Sequence, residues 1–244
     1  MEKITWLVPE KYQCLSGSWL KIIAMVSMLI DHLAAFVLQF NSSFVEPLFT
    51  IGGRSVSWYM LMRLVGRIAF PIFAFLLVEG FLHTHDRRRY GRNLLLFALL
   101  SEIPWNLTHT GTWLYGSQNV FFTLLLGYLG LCVVERFKDD FRRMGLLLLV
   151  LLGTGILLRA DYGCSGFGFI LMLYVLRTNR IFQTIIGSCF LSTTWKAGLA
   201  FIPINLYNGK RGFIGKGWAK YIFYVFYPAH LILIYLIQLQ VFHH

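Results

Sequence analysis

A polytopic bundle of transmembrane helices is the all-α fold class this sequence predicts, and three observations predict it. Apolar runs long enough to cross a bilayer recur along nearly the whole chain. Only 14% of the 244 residues are charged, where a soluble domain carries about 25%. The charges that remain are segregated between the runs. Mean hydropathy is +0.63. This composition excludes a soluble enzyme, a disordered tail and a coiled coil. A transmembrane β-barrel is excluded too, because its strands alternate weakly instead of staying apolar for 20 residues. At about 20 residues per span, the length leaves no room for a soluble domain, so residues 1–244 are read as one integral membrane domain.

The apolar runs fall near 20–40, 59–83, 92–108, 119–136, 144–158, 165–178, 181–196, 197–208 and 220–241. These are about nine spans. The run at 197–208 is short enough to be re-entrant, which leaves eight to ten. No internal repeat is visible. The polar stretch Met1–Ser18 predicts no signal peptide before the first span.

Orientation follows from the basic residues. The net charge is +11, from 22 Lys and Arg against 11 Asp and Glu. Lys3, Lys11 and Lys21 flank the first span. Arg87, Arg88, Arg89 and Arg92 follow the second, and Arg136, Lys138, Arg142 and Arg143 follow the fourth. Arg177 and Arg180 follow the sixth, and Lys210, Arg211, Lys216 and Lys220 precede the last. These segments hold 17 of the 22 basic residues. The intervening loops hold Arg54, Arg159 and Lys196. The positive-inside rule therefore predicts a cytoplasmic N-terminus, an external C-terminus and a multi-pass protein of the inner (cytoplasmic) membrane. In this setting the basic excess does not indicate nucleic acid. Cys14, Cys132, Cys164 and Cys189 form no CxxC pair and no ligand spacing with His, so no metal site is expected.

Ionisable groups inside a bilayer cost a few kcal/mol each and demand a partner or a function. Four constellations stand out. In LKIIAMVSMLIDHLAAF, Lys21 and His32 are 11 residues apart. On a helix this is a net rotation of about 20° and a rise of about 16 Å, so both lie on one face. Lys21 sits at the cytoplasmic mouth and His32 near the midplane. Asp31 points about 100° away from His32 and is expected to meet a cation on another helix. The alternative is a structural Asp–Arg bridge with His32 as a packing residue.

Arg63 and Arg67 lie one turn apart, ahead of IAFPIFAFLLVEGFL. Together they suit a carboxylate or phosphate. Arg63 alone suits snorkelling to the outer interface, while Arg67 is too deep and is expected to pair with Asp31 or Glu102. Pro71 predicts a kink. In SEIPWNL, Glu102 lies in an apolar helix that Pro104 is expected to break. Asn119 opens QNVFFTLLLG, and Asp161 lies in ADYGCSGFG. Glu102, Asn119 and Asp161 are expected to line the outer side, with interfacial solvation the alternative for Glu102 and Asp161.

In LYNGKRG, Asn208 and Gly209 signal a turn, and Lys210 and Arg211 follow. A glycine-rich basic turn suits phosphate, although an ordinary cytoplasmic loop reads the same way. In FYPAHL, His230 lies about ten residues into its span, level with His32. His83, His85, His109, His243 and His244 read as surface residues.

LKIIAMVSMLIDHLA, GRIAFPIFAFLLVEGF, SEIPWNL, QNVFFTLLLG, ADYGCSGFG, LYNGKRG and FYPAHL, in that order, resemble the TraX family of integral membrane acetyltransferases, named for an F-pilin acetylase. That family is similar to a wider group of transmembrane acyltransferases, which includes acyltransferase-3 O-acetylases and heparan-glucosaminide acetyltransferase. The resemblance implies transfer of an acetyl or acyl group from cytoplasmic acyl-CoA to an acceptor amine or hydroxyl outside or in the membrane. The acceptor is a peptide, a glycan or a small molecule. In acyltransferase-3 enzymes a basic residue, ten intervening residues and a catalytic histidine mark the first span, which Lys21 and His32 match. Those enzymes also use an RxxR arrangement, whereas Arg63 and Arg67 are spaced by four.

The resulting expectation makes His32 the general base or a transient acyl carrier. Lys21, Lys210, Arg211, Asn208 and Asn119 hold the acetyl-CoA donor. His230 or Asn119 donates to the thioester oxyanion or places the acceptor. Asp31 and Arg67 fix geometry, and Arg63, Glu102 and Asp161 face the acceptor. The lipid bilayer, acyl-CoA and the acceptor are the partners. A transporter or flippase with a midplane His/Asp/Arg pathway is the competing class, and an assembly protein that uses its buried charges as helix glue is another.

Overall fold

The computed structural model describes residues 4–190, 197–215 and 219–242. Lys3, Lys196, Lys216, His243 and His244, weighed above, lie outside the described residues. The protein is mostly helical: α1 (Gly17–Phe36), a short α2 (Ser42–Val45), α3 (Trp58–Gly66), α4 (Ala69–His83), α5 (Arg87–Thr110), α6 (Val120–Arg136), α7 (Phe141–Leu157), α8 (Gly163–Val175), α9 (Arg180–Phe190), α10 (Phe201–Asn205) and α11 (Ala219–Phe242). Among the described residues, three stretches are long and apolar enough to cross a membrane, Gly17–Phe40, Trp58–His83 and Tyr221–Val241, and Gly163–Val175 is a shorter apolar helix. A short β-hairpin, which the apolar runs do not predict, interrupts the helices. Phe49–Ile51 (β1) and Arg54–Val56 (β2) pair antiparallel, with Phe49 opposite Val56, around a turn in which Gly52 and Gly53 have positive φ.

The helices start and stop where side chains satisfy their free amides and carbonyls. Asp86 caps α5, Asn119 caps α6 and Asp140 caps α7, each accepting from a first-turn amide. Gly111, at φ 67°, ends α5. Pro104 does not end it: the helix runs on to Thr110. A proline removes one donor and crowds one carbonyl. Here the Thr108 hydroxyl donates to the Pro104 carbonyl at 2.7 Å and steadies the turn beyond the proline. Pro71 does mark a kink. Lying in the first turn of α4, it has no N–H to offer the Arg67 carbonyl, and the break between α3 and α4 falls at Arg67–Ile68.

The helix ends sort into two groups. At the basic end, the Arg180 amide donates to the Thr5 carbonyl at 2.9 Å, Arg180 Nη2 meets Glu79 Oε1 at 3.2 Å, and Arg211 Nη2 donates to the His83 carbonyl at 2.9 Å. At the opposite end, Gln238 Nε2 donates to the carbonyls of Phe36 and Thr108 at 3.1 and 3.2 Å, tying the last turns of α1, α5 and α11 together. Those three helices therefore run parallel, and α4 returns between them. α9 leaves the basic end and α10 comes back to it, with Asn205 Nδ2 donating to Thr184 Oγ1 at 2.9 Å. Eleven residues rise about 16 Å and five about 7.5 Å, so neither helix alone crosses a hydrocarbon core of about 30 Å.

Leu20, Ile72, Phe75, Phe81, Phe169, Ile170, Leu173 and Leu231 form the dry centre between α1, α4, α6, α8 and α11. Gly127 of α6 lies against Ile170 so closely that an added methyl would overlap it, and this lets α6 and α8 approach. Apolar side chains also cover the outside: Leu146, Leu149, Val150 and Leu157 on α7, and Phe182 and Ile185 on α9. In water such a surface would aggregate. In lipid it is solvated, and the chain is a membrane protein.

Candidate active site

A cavity of about 360 Å³ opens inside the bundle. Lys21, Glu79, His83, Tyr207, Gly209 and Arg211 line it at the basic end, and Asp31, His32, Gly66, Asp161 and Tyr162 line it at the far end. Phe70, Phe73, Leu76, Leu77, Phe121, Leu124 and Phe223 form its apolar middle. The helical spacing of Lys21 and His32 thus places both on one wall, about 16 Å apart in rise. Lys21 Nζ sits 5.0 Å from the Phe223 ring centre, a cation–π contact that holds it at the mouth.

His32 does not stand alone. Its Nδ1 lies 2.8 Å from Nε2 of His230, and the rings are near parallel at 16°. His230 is only 4% exposed, and its Nδ1 lies 2.9 Å from the Phe226 carbonyl. His230 is not on the cavity wall, so it is not placed to meet a thioester or an acceptor directly. Tyr227, one turn earlier on α11, does line the cavity. It is 3% exposed, and its hydroxyl has no hydrogen-bond partner among the described residues. Its ring meets the His32 ring edge-on at 6.4 Å.

Asp31 is anchored by a cation from another helix, as expected, but the partner is Arg63. Arg63 Nη1 lies 2.7 Å from Asp31 Oδ2. Arg63 also reaches the Asp31 carbonyl at 3.4 Å, so it turns inward and does not snorkel outward. The kink explains the exchange. It ends α3 at Gly66, and α3 packs along α1 where Asp31 lies. Gly66 faces Asp31 so closely that any Cβ there would overlap the Asp31 side chain. Arg67 makes no direct ion pair among the described residues and is off the cavity wall, but it lies near enough to Asp161 to act on it through its field.

Glu102 does not pair with Arg67 either. It accepts from Asn119 Nδ2 at 2.7 Å. Asn119 also donates to the Ala98 carbonyl and accepts from the Phe121 amide. It is fully buried and off the cavity wall, so its amide is committed to joining α5 to α6. Asp161 is on the wall. It lies in the turn between α7 and α8, where burial raises its carboxyl to about 6 against the opposing pull of Arg67. The next residue, Tyr162, has φ 59° and stacks on Phe70 at 3.8 Å between ring centres.

The LYNGKRG turn is arranged differently from a phosphate loop. The Lys210 and Arg211 carbonyls accept from the amides of Gly17 and Ser18 at 2.8 and 3.1 Å. The turn therefore spends its backbone on capping α1, and its carbonyls occupy the amides an anion would need. Asn208 serves the turn itself, accepting from the Lys210 amide at 3.0 Å. The Lys210 side chain is exposed and off the wall, whereas Arg211 is on it.

The pattern of the TraX protein family matches residues 16–238. The chain belongs to the TraX family. The chain is also similar to the probable fimbrial assembly protein FimC, serogroup H1, of Dichelobacter nodosus. The two are 28% identical over 250 residues, covering 90% of this chain and 94% of that one. No solved structure matches. In this TraX chain the cavity brings together Lys21, Asp31, His32, Asp161 and Arg211 as cavity-wall residues, with Arg63 and His230 behind them. It leaves Asn119, Glu102, Asn208 and Lys210 in structural or surface roles.

Several further residues take part. Glu79 at the mouth holds the buried Arg180, whose Nη1 also donates to Gln183 Oε1 at 2.6 Å. His109, read as a surface residue, is packed among Trp105, Phe36 and Tyr115 at 3.9 to 4.6 Å between ring centres. Its place in WNLTH, one turn after Trp105, was the available signal. Tyr227 carried one too, since a tyrosine inside an apolar span needs a partner for its hydroxyl.

Proposed function

We propose that this TraX protein is an acyl-CoA-dependent membrane acyltransferase, with its basic end in the cytoplasm and His32 as the general base. One observation carries the reading: a single cavity runs from Lys21 and Arg211 at the basic end to His32. A transfer enzyme needs that layout, because the donor's phosphates stay among cations while the thioester reaches a base shielded from water.

The steps follow from these residues. Arg211 and Lys21 hold the donor's anionic part, and the apolar middle of the cavity takes its extended arm. The acceptor amine or hydroxyl approaches from the Asp31–Asp161 end. His32 removes its proton as its lone pair attacks the thioester carbonyl carbon. Tyr227, whose buried hydroxyl lies by the Val120 amide and has no acceptor for its proton among the described residues, donates to the oxygen that becomes negative. The carbon–sulfur bond then breaks. The CoA sulfur leaves as thiolate and recovers the proton from His32. Charge balances, and no further reactant is required. The likeness to a probable fimbrial assembly protein of Dichelobacter nodosus favours the N-terminus of a fimbrial subunit as the acceptor.

The orientation belongs to the same reading. α9 and α10 leave and return to the basic end. With that pair counted as two crossings there are nine spans, and without it seven. In both arrangements the two chain ends lie on opposite sides, N-terminus in the cytoplasm, across the inner membrane.

The test uses protein purified in detergent. Acetyl-CoA is expected to raise the thermal unfolding temperature saturably. Arg211→Glu should abolish most of that shift and Lys210→Glu little of it. In membranes, His32→Gln should lower acetyl transfer to a fimbrial subunit peptide by at least a hundredfold while preserving the thermal shift. No stabilisation by acetyl-CoA or longer acyl-CoAs would overturn the proposal and bring the transporter class forward.

A further inference from the structure

Resting on the reading of His32 as the base, we propose that His230 is a positioning residue that fixes the tautomer of His32, so that Nε2 is the nitrogen working in the cavity. Donors and acceptors form a chain here. A backbone carbonyl only accepts. The Phe226 oxygen at 2.9 Å therefore requires that Nδ1 of His230 carry a proton. With both rings neutral, Nε2 of His230 is then a lone pair, and it accepts from the atom 2.8 Å away, Nδ1 of His32. That places the His32 proton on Nδ1 and leaves Nε2 bare.

The arrangement is held from several sides. The His230 ring stacks on Phe226 at 4.8 Å and 12° and meets the edge of Tyr227 at 5.4 Å, and it is 4% exposed. His230 cannot turn to offer its other nitrogen without giving up the Phe226 carbonyl. A buried imidazole hydrogen-bonded to another imidazole on one side and to a backbone carbonyl on the other can set the second ring's proton and direction, as a partner behind a metal-bound histidine does. When His32 takes up a proton, its Nδ1–H already points at an acceptor, so the imidazolium is stabilised without rearrangement.

The test reads His32 itself and needs no acceptor. Diethyl pyrocarbonate acylates unprotonated imidazole nitrogens, and peptide mass spectrometry follows His32 apart from the other six histidines. The full chain in detergent is compared as wild type, His230→Phe, His230→Gln and His230→Asn, with equal helicity by circular dichroism as the control. Phe offers no acceptor and should slow modification of His32 about tenfold, at the low end of the range for such partners. The Gln carbonyl reaches the place of Nε2 and should hold the rate within threefold of wild type. Asn stops one bond short and should resemble Phe. Wild-type rates in the Phe or Asn variant would overturn the assignment, and so would a Gln variant as slow as Phe. Protection of His32 by acetyl-CoA is read in the same experiment. Its absence would defeat the acyltransferase reading and leave the tautomer result standing. Protection with no rescue by Gln would do the reverse.

Discussion

Three residues on the cavity wall carry separable expectations. Gly66 is where α3 crosses Asp31, and a methyl there has no room. Gly66→Ala should push Asp31 off Arg63 and cost about 1–3 kcal/mol, the usual penalty of overpacking, measurable as a lower unfolding temperature in detergent. The Tyr227 ring packs against His32, Phe121 and His230, contacts that Phe would keep, so the substitution removes the hydroxyl alone. Tyr227→Phe should therefore leave acetyl-CoA stabilisation intact and lower the transfer rate by about 10²–10³, the scale for losing one oxyanion donor. Asp161 gives a pH signature. Its carboxyl titrates near 3.8 when unfolded and at about 6 when folded, so between those values the folded state binds more protons. Stability must then fall as pH rises through that window. Asp161→Asn removes the effect: the variant should be more stable than wild type at pH 7 and no more stable at pH 4. An unchanged difference across that range would show that the turn does not bury the carboxylate.

Among the elements, the 206–212 turn and α1 form one unit. Gly212 holds φ +72°, and a Cβ there would come within 2.5 and 2.6 Å of the Ser16 and Ser18 hydroxyls. Gly212→Ala should lift the Lys210 and Arg211 carbonyls away from α1, and hydrogen exchange at the Gly17 and Ser18 amides should accelerate. This element also marks where sequence reading stopped. The longer helices were legible because each carries an apolar run with basic residues toward one end, and the kink was legible because Pro71 lacks an N–H. His32 was legible through its spacing to Lys21, which helical geometry alone converts into a shared wall. The partner of Asp31 was not, since the choice between Arg63 and Arg67 depends on the angle at which α3 leaves the kink. The role of LYNGKRG was hidden for a similar reason. Glycine and basic residues suit a phosphate loop, but whether its carbonyls or its amides face inward depends on what lies opposite, and here that is the start of α1.

For the whole molecule, the segregation of charge becomes a test of sidedness. Cys14 is exposed beside α1 at the basic end, and Leu114 is 84% exposed beyond the far end of α5. A membrane-impermeant maleimide added to intact spheroplasts should label a Leu114→Cys substitution, and Cys14 only after permeabilisation. Labelling in the opposite order would reverse the proposed orientation and put Arg211 on the wrong side for cytoplasmic acyl-CoA. The competing transporter class needs openings at both ends. At the far end Tyr162 and Phe70 stack on the cavity wall, 3.8 Å between ring centres, and a transporter would have to pass its cargo beside them.

The contact between His32 and His230 joins residues 198 positions apart. During synthesis α1 enters the membrane at the outset, whereas His230 follows near the end, after the turn that supplies the cap of α1. Until then the future base has an unset proton, an uncapped helix start and one missing wall. On the proposed reading, a nascent chain carrying six or eight inserted spans is therefore unable to waste donor thioester by hydrolysis. Assembly order works as a safety catch, and truncation before α11 should yield a protein that inserts yet consumes no acetyl-CoA.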